Sequence, residues 1–179
     1  MPEKKLFFIA LIPPEPIKSE VIAFKKEVEE NFNSKAALRS PPHITLHMPF
    51  QWREDREDQL KEKLGLFQFE NFPINIELKD FDFFEPRVVY VDVMKNPELT
   101  QLQKELVVYV RKEFNVFNAD YKDKPFHPHM TIGFRDLKKS VFPEVKEHYS
   151  EKKYEADFEV SNICLLKHNG KTWEEWFYF

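Results

Sequence analysis

A five-residue pattern occurs twice in this chain, about half its length apart, and that duplication constrains the fold more than any other feature. Pro42-His43-Ile44-Thr45-Leu46 and Pro128-His129-Met130-Thr131-Ile132 share the order Pro, His, apolar, Thr, apolar. In a chain of this composition, one chance occurrence is expected in about two sequences per thousand, so the pair reads as an internal repeat. Alternation of this kind belongs to a β-strand, where residues i and i+2 project from one face. Each copy directs a histidine and a threonine to one side and anchors apolar residues in a core on the other.

The rest of the chain supplies strands and helices around these two segments. Leu6–Ile12 is an unbroken apolar run, as a strand buried on both faces shows. It stops at Pro13-Pro14 without a small-residue cleavage site, which argues against a signal peptide. Pro14 and Pro16 then mark a helix start. Ile17, Val21, Phe24, Val28 and Phe32 give that helix one apolar face. Residues 54–66 predict a charged helix that Gly65 ends. Ile74, Ile76 and Leu78 alternate as a strand, and the phase slips near Asp80–Phe81, where a bulge is expected. A second strand runs from Val88 to Met94. Asn96-Pro97 provides an N-cap and first residue for a helix with Leu99, Leu102, Leu106, Val110 and Phe114 inside. A short helix is expected around 140–150. Residues 154–167 and 172–179 read as two strands joined by a turn at Asn169-Gly170.

The order β α β α β β α β (α) β β, with several hairpins, predicts the α+β class. Without a linker or low-complexity tract, residues 1–179 are expected to form one domain with two intertwined lobes.

Composition narrows the function. Three glycines, Gly65, Gly133 and Gly170, leave no room for a Gly-rich phosphate loop, so any phosphate must be held by side chains and scattered amides. A net charge of −4 disfavours an extended nucleic-acid surface, but not a nucleotide or a strand end. A single cysteine excludes an intramolecular disulfide framework and fits a cytoplasmic protein, and a monomer is expected. No apolar run approaches the ~20 residues of a membrane span.

On one strand face, His and Thr two apart offer a ring nitrogen and a hydroxyl about 6–7 Å apart. If both strands face one cleft, it holds two imidazoles and two hydroxyls. One neutral histidine can deprotonate a nucleophile and a protonated one can protonate a leaving oxygen. Thr45 and Thr131 can donate to non-bridging phosphate oxygens. No cofactor is needed for this chemistry. His47 and His127 are in register with the motif histidines and suit either the cleft or a solvated edge. His148 and His168 lie in charged surroundings and are expected to face solvent. A shared metal is disfavoured, because strand positions four apart are separated by roughly 13 Å. Gly133, on the face of His129 and Thr131, is expected to let a ligand approach the backbone. Arg135 on the same face and Arg39 before the first motif are candidate phosphate contacts. Phe50, Trp52 and Phe126 are candidates for stacking a base, with core or rim positions as the alternative.

At these residues the chain resembles the two-histidine phosphoesterase superfamily of bacterial 2′-5′ RNA ligases and RNA 2′,3′-cyclic phosphodiesterases. The matching pieces are His43-Ile44-Thr45-Leu46, His129-Met130-Thr131-Ile132 and the opening strand Leu6–Pro13. The resemblance implies a bilobal fold with pseudo-twofold symmetry, two mostly antiparallel sheets around a central cleft, and helices outside. It implies a metal-independent opening of a cyclic phosphate, with His43 and His129 as the acid–base pair and Thr45 and Thr131 as phosphate ligands. A nucleotide cyclic phosphate or an RNA terminus is the substrate expected, and reversible 2′-5′ ligation is a second activity to consider. The alternatives are a non-catalytic nucleotide or RNA-end binding module using the same cleft, and a His-metal hydrolase.

Overall fold

The computed structural model describes residues 1–117 and 124–179. They form two four-stranded antiparallel sheets with four α-helices packed outside. The strands are β1 (Lys4–Leu11), β2 (Ile44–Arg53), β3 (Ile74–Phe84), β4 (Val88–Val93), β5 (His129–Gly133), β6 (Glu155–Val160), β7 (Cys164–His168) and β8 (Trp173–Tyr178). The helices are α1 (Ile17–Phe32), α2 (Glu57–Gly65), α3 (Pro97–Phe114) and α4 (Phe142–Glu151). One sheet has the order β2-β1-β7-β8 and the other β5-β4-β3-β6. Each places its repeat strand at an edge, beside the strand that precedes it in sequence. β2 and β5, the two repeat strands, approach one another.

The continuous apolar run becomes β1 because it is covered on both faces. Phe7, Ile9 and Leu11 enter the main core, which spans both sheets and all four helices. Phe8 and Ala10 point the other way, onto a smaller cluster with Cys164 and Leu166. A strand with no polar face has nothing to alternate. The helices then exchange halves. α1 follows β1 yet packs against β5, and α3 follows β4 yet packs against β2. This crossing ties the two sheets together.

The local signals correspond to the elements found. Asn96 caps α3, accepting a hydrogen bond from the Leu99 amide at 3.0 Å. The slip in β3 is a register shift between Leu78 and Phe81, with Asp80 at φ 56°. The stretch 154–167 differs from expectation. It is two strands, β6 paired with β3 and β7 paired with β1, separated at residues 161–163. Both halves read as extended segments, and only the sheet edge that each meets separates them.

Further bulges, two in β2 and one in β5, decide which way the side chains of the repeat strands point. On β2, Thr45 lies opposite Ala10 but His47 lies opposite Ile9, so one residue of β1 faces two of β2. On β5, Thr131 lies opposite Tyr90 and Gly133 opposite Val89. Each bulge inserts one residue and reverses the side-chain alternation beyond it.

Candidate active site

His43 sits just before β2 and His129 opens β5. Each ring is anchored by the carbonyl two residues upstream. The His43 Nδ1 lies 2.7 Å from the Pro41 oxygen, and the His129 Nδ1 lies 2.7 Å from the His127 oxygen. A carbonyl only accepts, so each Nδ1 carries the proton, and among the described residues neither Nε2 has a hydrogen-bond partner. Thr45 and Thr131 follow on the same strands, half-buried. The charge of His129 acts on the His43 ring.

The two imidazoles have different surroundings. Burial depresses His43 to a pKa of about 4, and the nearby Lys25 ammonium reinforces this, with His129 a smaller influence in the same direction. Burial also lowers His129; its hydrogen bond to the His127 carbonyl opposes this, the charge of His127 adds to it, and the charge of Asp92 is a smaller influence upward. Asp92 is the cross-strand partner of His129 on β4. The Tyr90 hydroxyl and the His127 Nε2 are 3.2 Å apart, and that Nε2 is 3.9 Å from the Asp92 carboxylate.

A cavity of about 210 Å³ opens beside His43 and Thr45. Phe8, Met48, Trp173 and His168 line it, and Arg39 and Arg135 bring positive charge to it. Phe8 packs 4.8 Å from the His43 ring and 4.7 Å from Trp173. Arg135 holds a left-handed conformation, φ 57°, which a non-glycine residue adopts at a cost of about 1 kcal/mol. The next residue, Asp136, accepts three hydrogen bonds, from Ser34 Oγ at 2.6 Å and from the amides of Lys35 and Ala36 at 3.0 and 3.1 Å. That carboxylate ties the end of β5 to the turn that carries Arg39.

The structure brings His43, Thr45, Arg39 and Arg135 to one cavity; His129 and Thr131 lie on β5, which approaches β2, and do not line it. Several other candidates go elsewhere. His47 is 1% exposed and stacks edge-on against Phe50, because the β2 bulge turns it inward; Met48 takes its place in the cavity. Phe50 is buried against Phe7 in the core. Trp52 packs on Phe114 and donates to the Arg56 carbonyl, away from the cavity. Phe126 packs against the core. Gly133 is buried, and a Cβ there would lie 3.0 Å from both Val28 and Val89, so its missing side chain admits α1 rather than a ligand. His127 is half-exposed beside His129 and does not line the cavity. His168, expected in solvent, forms part of the cavity wall with Trp173. His148 pairs with Glu27 outside the cleft. Among the described residues no group of three His, Cys, Asp or Glu side chains could hold a metal ion. No helix among them is long and apolar enough to cross a membrane.

Sequence reasoning passed over Lys25. It lies at a buried position of α1, in line with Val21 and Val28, and is 1% exposed. The signal was a lysine inside the apolar stripe of a helix.

Comparison with known proteins agrees with this architecture. A protein of Staphylococcus haemolyticus named "putative phosphoesterase" is 30% identical over 94% of this chain and 92% of its own length. A Geobacillus kaustophilus protein of the same name is 30% identical over 76% of this chain and 73% of its own. LigT of Escherichia coli, crystallised with 3′-AMP, shares the fold with a TM-score of 0.70 at 21% identity, over 99% of this chain and 98% of LigT. TT0787 of Thermus thermophilus does so with a TM-score of 0.67 at 19% identity, over 97% and 96%. The family model of the 2′-5′ RNA ligase superfamily matches residues 13–172. With its two His-x-Thr strands at the facing edges of two sheets, the chain belongs to the 2′-5′ RNA ligase superfamily.

Proposed function

We propose that this protein is a phosphoesterase that opens 2′,3′-cyclic phosphates of a nucleotide or an RNA terminus by two-histidine acid–base catalysis, without a metal. One observation carries the reading: both imidazoles are anchored through Nδ1, leaving Nε2 free, in unequal electrostatic surroundings. In this reading His43, the more strongly depressed, is neutral and serves as the base. His129, less strongly depressed, serves in its protonated form as the acid.

His43 Nε2 takes a proton from water as the water oxygen bonds to phosphorus. The bond from phosphorus to one ribose oxygen breaks, and His129 Nε2–H protonates that oxygen. A phosphomonoester and a free hydroxyl result. Thr45, Thr131, Arg39 and Arg135 hold the non-bridging oxygens as negative charge builds there. With an RNA 5′-hydroxyl as the attacking group in the ligation direction, equivalent proton transfers form a 2′-5′ linkage. A nucleotide-sized ligand suits the cavity volume and the net charge of −4. LigT crystals of the same fold hold 3′-AMP, ATP and NADP+.

The test is hydrolysis of the four nucleoside 2′,3′-cyclic monophosphates, followed by monoester formation, with and without EDTA. Turnover that survives EDTA is expected. Tight binding of the monophosphate with no turnover of any cyclic phosphate would instead make the cleft a binding module.

A further inference from the structure

Lys25 is a lysine where the fold calls for an apolar residue. It projects from α1 between Val21 and Val28, both fully buried, and is itself 1% exposed. Its ammonium makes one hydrogen bond, to the Ser40 carbonyl at 2.8 Å. Among the described residues it forms no salt bridge. A lone buried ammonium is costly, and an apolar residue would serve the helix better. The bond it makes lies three residues before His43, at the start of the segment whose next carbonyl, that of Pro41, holds the His43 ring.

We propose that Lys25 is a positioning residue for His43: from inside α1 its ammonium grips the Ser40 carbonyl, sets the Ser40–His43 segment, and places a positive charge near the imidazole. Burial is the larger cause of the low His43 pKa, and that charge adds to it, favouring the unprotonated ring that a base requires. Lys25 also couples α1, the helix packed on β5, to the histidine of the opposite lobe. Burial lowers Lys25 itself to a pKa of about 7, so near neutrality the cation is held at the edge of its own titration. The other charged or titratable groups around His43 are His129 and Arg135 from the β5 side, Arg39 from the preceding turn and His168 from β7. His129, like Lys25, lowers the His43 pKa.

This role rests on His43 acting as the base, and the test separates the two ideas. The titration of the His43 Cε1 proton is followed by NMR in the wild type and in K25M and K25Q. K25Q keeps a donor for the Ser40 carbonyl without the charge. Loss of the charge is expected to raise the His43 pKa by about one unit, tenfold in proton affinity, in both variants. The acid limb of kcat/KM for a cyclic nucleotide should move up with it, and K25M alone should lose a further ~10-fold in kcat through the slackened segment. If K25M does not fold, K25Q carries the same titration. An unchanged His43 titration in K25Q overturns the role of Lys25 whatever the activity. A shifted titration in a protein that hydrolyses no cyclic phosphate leaves Lys25 in its role and overturns the proposed reaction.

Discussion

His43 and His129 are anchored identically: each donates its Nδ1 proton to the carbonyl two residues earlier, at 2.7 Å in both cases. The two carbonyls belong to Pro41 and His127, which are not equivalent residues. What repeats is the backbone path into the strand, so the repeat conserves a tautomer as well as a residue type. The equivalent anchoring and the unequal surroundings of the two rings have measurable consequences.

Replacing either His43 or His129 with alanine is expected to lower kcat for cyclic nucleotide hydrolysis by about 10³-fold. The double variant should be little worse than either single one, because an acid–base pair acts as a unit. Additive losses, measured by single-turnover kinetics, would show that the two rings act separately.

The pH–rate profile should be a bell displaced below the ordinary imidazole range. Activity should fall as pH drops through the His43 pKa of about 4, where the base becomes protonated. It should also fall as pH rises through the His129 pKa, which burial holds below 6.5, where the acid is lost. D92N removes the carboxylate that supports the protonated His129 and should move the alkaline limb to lower pH, leaving the acid limb in place. An alkaline limb that moved to higher pH in D92N would exclude His129 as the acid.

Stability should have its own pH dependence with a definite sign. His43 is depressed in the folded state, so between its unfolded value of about 6.5 and the folded value of about 4 the unfolded chain binds more protons. Its contribution is therefore present above that window and is lost as pH falls through it. Lys25 acts in the same direction at higher pH, its contribution being lost between its unfolded value of 10.5 and about 7. At pH 6 K25M should consequently be more stable than the wild type, by about 2 kcal/mol in denaturant unfolding, while its activity falls. A lowered midpoint would mean that the Ser40 contact outweighs the buried charge.

Gly133→Ala should destabilise before it impairs the reaction. Its Cβ would need room against Val28 of α1 and Val89 of β4, both 3.0 Å away, and overpacking of this kind costs about 1–3 kcal/mol. Thermal unfolding should record that loss, with KM near the wild-type value at temperatures where the variant is folded.

Asp136→Ala should act on substrate binding from a distance. Burial pushes the Asp136 carboxyl upward, but its bonds from Ser34, Lys35 and Ala36 outweigh this and hold it below the ordinary value. Losing those three bonds frees the turn that carries Arg39 from the end of β5 that carries Arg135. KM is expected to rise about tenfold with a smaller change in kcat.

Local features were legible in the amino-acid order. Alternation identified β2 and β5 with their His-x-Thr faces, the unbroken apolar run identified β1, and Asn96-Pro97 identified the start of α3. These rest on periods of two and 3.6 residues and on backbone geometry that a few neighbouring side chains impose. The α+β class and the paired motifs came from the same signals. Individual residues beyond the motifs took their places only when the sheets and helices packed. Of two residues inserted in β2, the one between Thr45 and His47 sent His47 into the core and Met48 to the cavity, and another in β5 turned Gly133 towards α1. A bulge depends on how a strand meets its partner, and no alternation within one strand records it. The division of 154–167 between two sheets was likewise set by the edges available. The burial of Lys25 near His43 came only from the crossing of α1 to the opposite lobe, because the environment of a charge is made by the elements packed around it.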